Sequence, residues 1–315
     1  MKGKRNKLKW IGALAGTLAA VLLLRAFALT WCLIPSTGME NTLYQGERIA
    51  VNKWSYGLRL PGMKLWGYHR IRPQAIGRGD VVVFNNPAEI HTTPADCRAL
   101  FISRCIGLPG DTIWVDSLYA PLPHRGINVP DKKVLYSYPR QHDALIDSLL
   151  HAIGVESSTL MGADSLLLVR GLSRYEYYLL QQECDSIHRW MTPQNDEQPQ
   201  QAYPLIIPGK GIRIEVTDHN RTLLLNTLLV HEQRQAAVIG DTLYIDQKPA
   251  TWCELTKDYH WMVSDNSVNW SDSRLFGLVP HDHVIGKAAF VWFSKERDTG
   301  FFSGHRWNRY FQTIR

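Results

Sequence analysis

The first thirty residues constrain this chain more than any other stretch. Lys2, Lys4, Arg5, Lys7 and Lys9 place five positive charges in the first nine residues, with no acid among them. Trp10 to Leu24 follows as fifteen residues without a charge, and then come Arg25 and Ala26-Phe27-Ala28-Leu29. Residues 10–29 together have the roughly 20-residue length that crosses a bilayer as a helix. Arg25 stands near the far end, where a long side chain snorkels to the headgroups. Cations before the span and one near its exit predict a basic cytoplasmic tail (1–9), a single-pass anchor in the cytoplasmic membrane (10–29) and an extracytoplasmic remainder. Two competing readings are weaker. Ala26-Phe27-Ala28 resembles a signal-peptide cleavage site, and a lipid anchor at Cys32 is disfavoured by the bulky Trp31 before it.

Of the net charge of +6, five units sit in this tail, which leaves about +1 for everything after it. The basic balance is local and gives no reason to expect a nucleic-acid partner. At 315 residues the chain can bury a sizeable core. Five cysteines (Cys32, Cys97, Cys105, Cys184 and Cys253) show no metal-ligand spacing, and their odd number leaves at least one unpaired in a monomer. Cys97 and Cys105 lie on one extended-looking stretch, about 26 Å apart at ~3.3 Å per residue, too far to bridge.

Beyond the anchor the pattern is mostly β. Arg48 to Trp54, the apolar run Val81-Val82-Val83-Phe84, Leu100-Phe101-Ile102 and Ile113-Trp114-Val115 read as strands. Helix-compatible stretches such as Tyr175 to Trp190 then appear, followed by a Gln- and Pro-rich link from Thr192 to Gln201. Strand patterns resume at Ile212 to Val216, Thr242 to Ile245, His260 to Val263 and Val284 to Phe293. This order predicts a β core from 30–117 and 241–315, interrupted by a mixed α+β insertion at 118–240.

Several chemical leads fail. His231-Glu232 begins like a zinc-protease helix, but Gln235 stands where the second histidine belongs. His281-Asp282-His283 offers two imidazoles without a third ligand and reads as a solvated loop. No Gly-rich phosphate loop is present, and no metal or cofactor is expected.

Three segments are more specific together. They are Pro35-Ser36-Thr37-Gly38-Met39-Glu40-Asn41-Thr42-Leu43, Phe101-Ile102-Ser103-Arg104-Cys105-Ile106-Gly107-Leu108-Pro109-Gly110-Asp111, and Asp265-Asn266 through Trp270-Ser271-Asp272-Ser273-Arg274 to Gly277-Leu278-Val279-Pro280. With Arg78-Gly79-Asp80-Val81 and the anchor before them, their order resembles the bacterial type I signal peptidase family. That family cleaves signal peptides from exported proteins with a serine–lysine dyad on a membrane-tethered β domain. The resemblance covers roughly residues 1–115 and 240–310. It implies a mainly β, signal-peptidase-like antiparallel core with one N-terminal transmembrane helix.

Carried over residue by residue, the resemblance puts Gly38 where the family has its nucleophilic serine, and glycine cannot form an acyl-enzyme. Ser103 stands where the family has its lysine base, and its hydroxyl is no base near neutral pH. Trp270 stands where a serine helps orient that lysine. Other positions are kept. Ser36 matches the oxyanion-assisting serine, Asp272 and Arg274 the structural ion pair, and Asp265-Asn266 the family turn; Met39, Arg104 and Ser273 also match. Ile34, Pro35, Leu100, Phe101 and Ile102 are the candidates for contact with an extended peptide, as in the family. Lys53 matches a strand lysine and reads as structural or surface.

Two function classes follow. One is a non-catalytic, signal-peptidase-like protein that binds signal peptides, preproteins or an active paralogue. The other is an active peptidase with a non-standard nucleophile, for which Ser36 and Thr37 are the neighbouring hydroxyls. Lipid is expected at Trp31 and Tyr44, while ordinary packing is the favoured reading for Trp54 and Trp66.

Overall fold

The computed structural model describes residues 2–315 except 90–93, 123–133, 154, 156–157, 159, 195–200, 267–270, 297–298 and 301. A single long helix, α1 (Lys2–Phe27), leads into a mainly antiparallel β structure. Within α1, Trp10–Phe27 is the one helical stretch among the described residues long and apolar enough to cross a membrane, and none of it is buried against the protein. Leu29, counted with the span in the sequence, instead opens the first strand.

The largest sheet holds seven strands: β1 (Leu29–Leu33), β2 (Arg48–Asn52), β3 (Val81–Asn85), β4 (Leu100–Gly107), β5 (Tyr259–Val263), β6 (Val279–Pro280) and β7 (Val284–Phe293). Their spatial order is β1-β2-β7-β3-β4-β5-β6, every pair antiparallel. The apolar run in β3 is explained by burial on both faces. Val81 and Val83 enter a core with Ile34, Met39, Leu43 and Val51, whereas Val82 and Phe84 enter another with Tyr56, Met262 and Val284. Side chains alternate across a strand, so a strand covered on both sides has no polar position to alternate with.

Leu108-Pro109-Gly110-Asp111 closes β4. The Asp111 amide donates to the Leu108 carbonyl at 2.9 Å and Gly110 takes φ +88°. Proline presets the second residue of such a turn, and the third needs the left-handed backbone that glycine adopts without a Cβ clash.

Two further cores remain, one against the end of this sheet and one separate from it. Ile106, Ile113 and Val115 pack with Leu205, Leu224, Leu228, Leu243, Tyr259 and Trp261, so the strands Tyr203–Ile206 and Thr242–Ile245 and the helix Arg221–Val230 cover one end of the sheet. Tyr138, Ile146, Leu150, Leu172, Leu180 and Ile187 form a separate core. It sits between a four-stranded sheet and two helices, Asp143–Ala152 and Arg174–Glu183. Residues 118–240, expected to form one insertion, thus feed two cores, one of their own and one shared with β5. The helical stretch expected from Tyr175 to Trp190 is a helix only to Glu183. A Ser173–Glu176 capping box starts it, and a short 3-10 turn, Ile187–Arg189, follows. The five cysteines are all free thiols.

Candidate functional site

The segment between β1 and β2 carries Gly38. It is held from below by Met39 and Leu43, which are buried in the core beneath the sheet. Its far end is fixed by Glu47, a fully buried carboxylate that accepts from Arg309 Nε at 2.8 Å, Ser294 Oγ at 2.9 Å and the Tyr44 amide at 3.0 Å. Its middle is held by Asn266, whose amide donates to the Gly38 carbonyl at 2.9 Å and whose Nδ2 donates to the Thr37 carbonyl at 3.1 Å. Ser36 and Pro35 are exposed on this loop, and Thr37 and Gly38 are half-buried. Ile34 is only 2% exposed, so its side chain belongs to the core and is closed to a visiting peptide.

Strand β4 brings in the second group. Leu100 is exposed, Phe101 and Ile102 are half-buried, and Ser103 is fully buried. The peptide-contact candidates Leu100 to Ile102 are thus at least partly open, and the strand closes at Ser103. The Ser103 hydroxyl has no hydrogen-bond partner among the described residues. Its neighbours follow from register. Val82 lies opposite on β3, and β5, which pairs Val263 with Arg104, runs on to Ser264. Along Leu100–Ile102 the ladder to β3 occupies one edge of β4, while the ladder to β5 covers only Arg104–Gly107.

Two ion pairs brace this region. Arg104 grips Asp265 with both ends of its fork, Nε to Oδ1 at 2.8 Å and Nη2 to Oδ2 at 2.7 Å, and adds Thr42 Oγ1 at 2.8 Å and the Gly79 carbonyl at 2.7 Å. It thereby ties β4, the Gly38 loop and the segment after β5 into one unit. Asp272, fully buried, accepts from Arg274 at 2.9 and 2.6 Å and from the Ser264 amide at 2.7 Å. It also caps the short helix Ser273–Phe276. Ser273 Oγ accepts from the Met262 amide at 2.9 Å. Trp270 lies outside the described residues.

The sequence reading missed Glu40. This carboxylate is 2% exposed beneath the Gly38 loop, and Asn266 Nδ2 approaches it at 3.4 Å. Its only signal was an acid in the middle of an otherwise neutral segment. Lys53 has a definite task. Its ammonium donates to the Arg25 and Ala26 carbonyls at 2.9 and 3.0 Å, capping the last turn of α1. Burial, with the Arg59 charge nearby, lowers its pKa. The ammonium is directed at the C-terminal end of α1.

The expectation for His281-Asp282-His283 is corrected. These residues form a 3-10 turn with His283 buried to 5% exposure. The Asp282 carboxylate accepts from His283 Nδ1 at 2.7 Å and Lys257 Nζ at 2.8 Å. Arg98 Nη1 lies 3.2 Å from His283 Nε2, and a guanidinium has only donors, so that nitrogen accepts and Nδ1 carries the proton. His260 Nε2 meets His281 Nδ1 at 3.2 Å, and the His231 and His283 rings lie 5.5 Å apart edge to face. Among the described residues no cluster has the ligands to hold a metal ion.

The packing expected for Trp54 and Trp66 is also corrected, since they are 45% and 70% exposed. Tyr44 instead lies beneath the Arg306 and Arg309 guanidinium groups, 5.3 and 4.9 Å from its ring centroid.

One apolar N-terminal helix, a curled antiparallel sheet and a loop-to-strand site braced by two ion pairs define a mainly β domain of signal-peptidase-like plan. Comparison with known proteins carries this further. The model of the signal peptidase family, peptidase S26, matches residues 7–142 and 206–293. Relatives named signal peptidase I occur in Buchnera aphidicola of Acyrthosiphon pisum, 26% identical over 94% of this chain and 78% of that protein, and in Haemophilus influenzae, 26% identical over 98% and 76%. Another, from Pseudomonas aeruginosa, is 42% identical over 93 residues, 30% of this chain and 29% of that protein. The chain belongs to the signal peptidase family, peptidase S26. Its role is signal peptidase-like, and membership implies signal peptides or preproteins as the molecules it meets. The stretch that the family model passes over contains most of the separate core formed by Tyr138 to Met191.

Proposed function

We propose that this chain is a non-catalytic member of its family, which binds signal peptides or an active paralogue at the membrane surface without cleaving. The observation that carries this is a glycine at loop position 38 together with a buried Ser103 on β4 that has no hydrogen-bond partner among the described residues, in a scaffold whose Arg104–Asp265 and Asp272–Arg274 pairs are intact. No nucleophile stands at the first position and no base at the second. Relaxed selection on the reagents with retained bracing is what a binding role leaves behind. The edge of β4 along Leu100–Ile102 supports peptide addition, because an extended segment can pair with backbone groups that β5 leaves uncovered.

The chain is read as a single-pass membrane protein with residues 1–9 in the cytoplasm and the β domain outside. The outward face of β1 supports a lipid contact. Leu29, Trp31 and Leu33 are exposed in alternation beside the exit of α1, with Trp54 and Trp66 also exposed. The test is incubation of the purified full chain with a preprotein beside an active signal peptidase, followed by photo-crosslinking of the preprotein. Crosslinks without cleavage support the proposal. Cleavage abolished by Ser36→Ala or Thr37→Ala would replace it with an active enzyme using a displaced nucleophile.

A further inference from the structure

A concavity of about 420 Å³ lies away from the Gly38 loop, between the pair of strands Arg213–Glu215 and Trp252–Glu254 and the sheet that contains Thr242–Ile245 and Lys248–Ala250. Its volume falls in the range of small-ligand sites. Ile245 and Cys253, both buried, lie at its floor. The Cys253 thiol is pushed up to about 11 by burial, so it packs as an apolar group at neutral pH.

The walls are cationic. Arg213, Arg234 and Lys248 come from three separate segments and converge on this space, with Glu254 the single acid lining it. Arg234 is committed to Asp246 at 2.6 Å. Arg213 and Lys248 have no ion-pair partner among the described residues. Trp252, 48% exposed, supplies a flat surface, and the Arg213 guanidinium sits 5.7 Å from its ring centroid. Arg213 stands opposite Glu254 across the strand pair, so the lining sets three cations against one acid, and an anion placed between the cations is attracted. A carboxylate brings one negative charge and satisfies one fork. A phosphate monoester brings ~1.5–2 charges and three acceptor oxygens, which matches Arg213 and Lys248 together. Ile245, Cys253 and the indole supply the apolar contacts for the organic part.

We propose that this concavity is a binding site for a phosphate ester, with Arg213 and Lys248 holding the phosphate and Trp252 covering the organic group. The ester has two possible sources, a soluble metabolite or the headgroup of an anionic phospholipid. The site is independent of whether the Gly38 loop cleaves anything.

The experiment uses the full chain in phosphatidylcholine nanodiscs. Glycerol 3-phosphate and dihexanoyl phosphatidic acid are titrated separately, with binding read by calorimetry and by ³¹P line broadening. Saturable binding of either probe is expected, weakened about 10-fold by Arg213→Gln and again by Lys248→Gln, the size of one lost charge-assisted hydrogen bond. Glu254→Gln removes the opposing acid and should tighten binding, an outcome that a misfolded variant cannot mimic. Binding of the soluble ester assigns a metabolite, and binding of the lipid alone assigns a headgroup. No saturable binding of either probe, or binding unchanged by all three substitutions, overturns the proposal.

Discussion

Asn266 holds Gly38 in place: its main-chain amide donates to the Gly38 carbonyl at 2.9 Å while its side chain reaches the Thr37 carbonyl at 3.1 Å. The loop at the nucleophile position is therefore fastened to the segment after β5, although Gly38 itself has no side chain to present. The side-chain half of this clamp can be removed alone. Asn266→Ala should cost ~1–2 kcal/mol, since it leaves buried acceptors short of a donor. Chemical denaturation measures the loss, and hydrogen exchange should show it concentrated in residues 36–43. Unchanged exchange there would mean that Met39 and Leu43 hold the loop without help.

The Arg104–Asp265 pair joins three segments, so breaking it from one side should be severe. Asp265→Ala leaves a largely buried guanidinium without its fork partner and should cost ~3–5 kcal/mol. The double variant Arg104→Met with Asp265→Leu should recover part of that loss, because no uncompensated charge remains. Thermal melting of both variants checks the order.

Restoring chemistry tests whether the scaffold has kept its shape. The combined change Gly38→Ser, Ser103→Lys and Trp270→Ser should raise preprotein cleavage over the unaltered chain by roughly 10²-fold or more, given how much rate a nucleophile–base pair carries. A folded triple variant that cleaves nothing would indicate that the peptide groove has diverged as well.

The histidine cluster predicts a dependence on acid. Burial lowers the pKa of His231 to about 3, with His283 the next cause, and that of His260 to about 3, with His281 next. His281 is lowered to about 4 by burial and then by the Arg70 charge. The unfolded chain titrates these imidazoles near pH ~6.5, so below that pH it binds protons that the folded protein refuses. Stability is complete above about pH 6.5 and falls as pH drops toward the folded values, by at most ~1.4 kcal/mol per pH unit for each imidazole. Asp282 has its own pKa lowered through His283 and Lys257 despite burial, and its contribution is lost only at lower pH still. Denaturation midpoints from pH 7.5 to 4.5 should fall steeply, and His260→Gln should flatten the curve.

Much of the fold was legible from local pattern. The apolar run Val81–Phe84, the alternation in Ile212–Val216 and the Pro109–Gly110 turn each carry their conformation in neighbouring residues, through burial, period or backbone preference. The site was legible only as a set of spacings. Glu40 escaped notice because a single acid in a neutral stretch looks like a surface residue, and only the fold covers it. The turn at His281–His283 looked solvated because its partners, Arg98, Lys257 and His260, are remote in sequence.

The sequence by itself determined the basic tail with its apolar helix, the strand-rich character, and the glycine and serine at the two reactive positions of the family plan. These depend on composition and order along the chain. Only the tertiary structure decided that Lys53 caps α1, that Ser103 is sealed in the sheet, that residues 118–240 serve two separate cores, and that Arg213, Lys248 and Trp252 surround one hollow. Each of these depends on contacts between segments far apart in the chain. Local residue preference cannot encode such contacts until burial of the apolar faces brings the segments together.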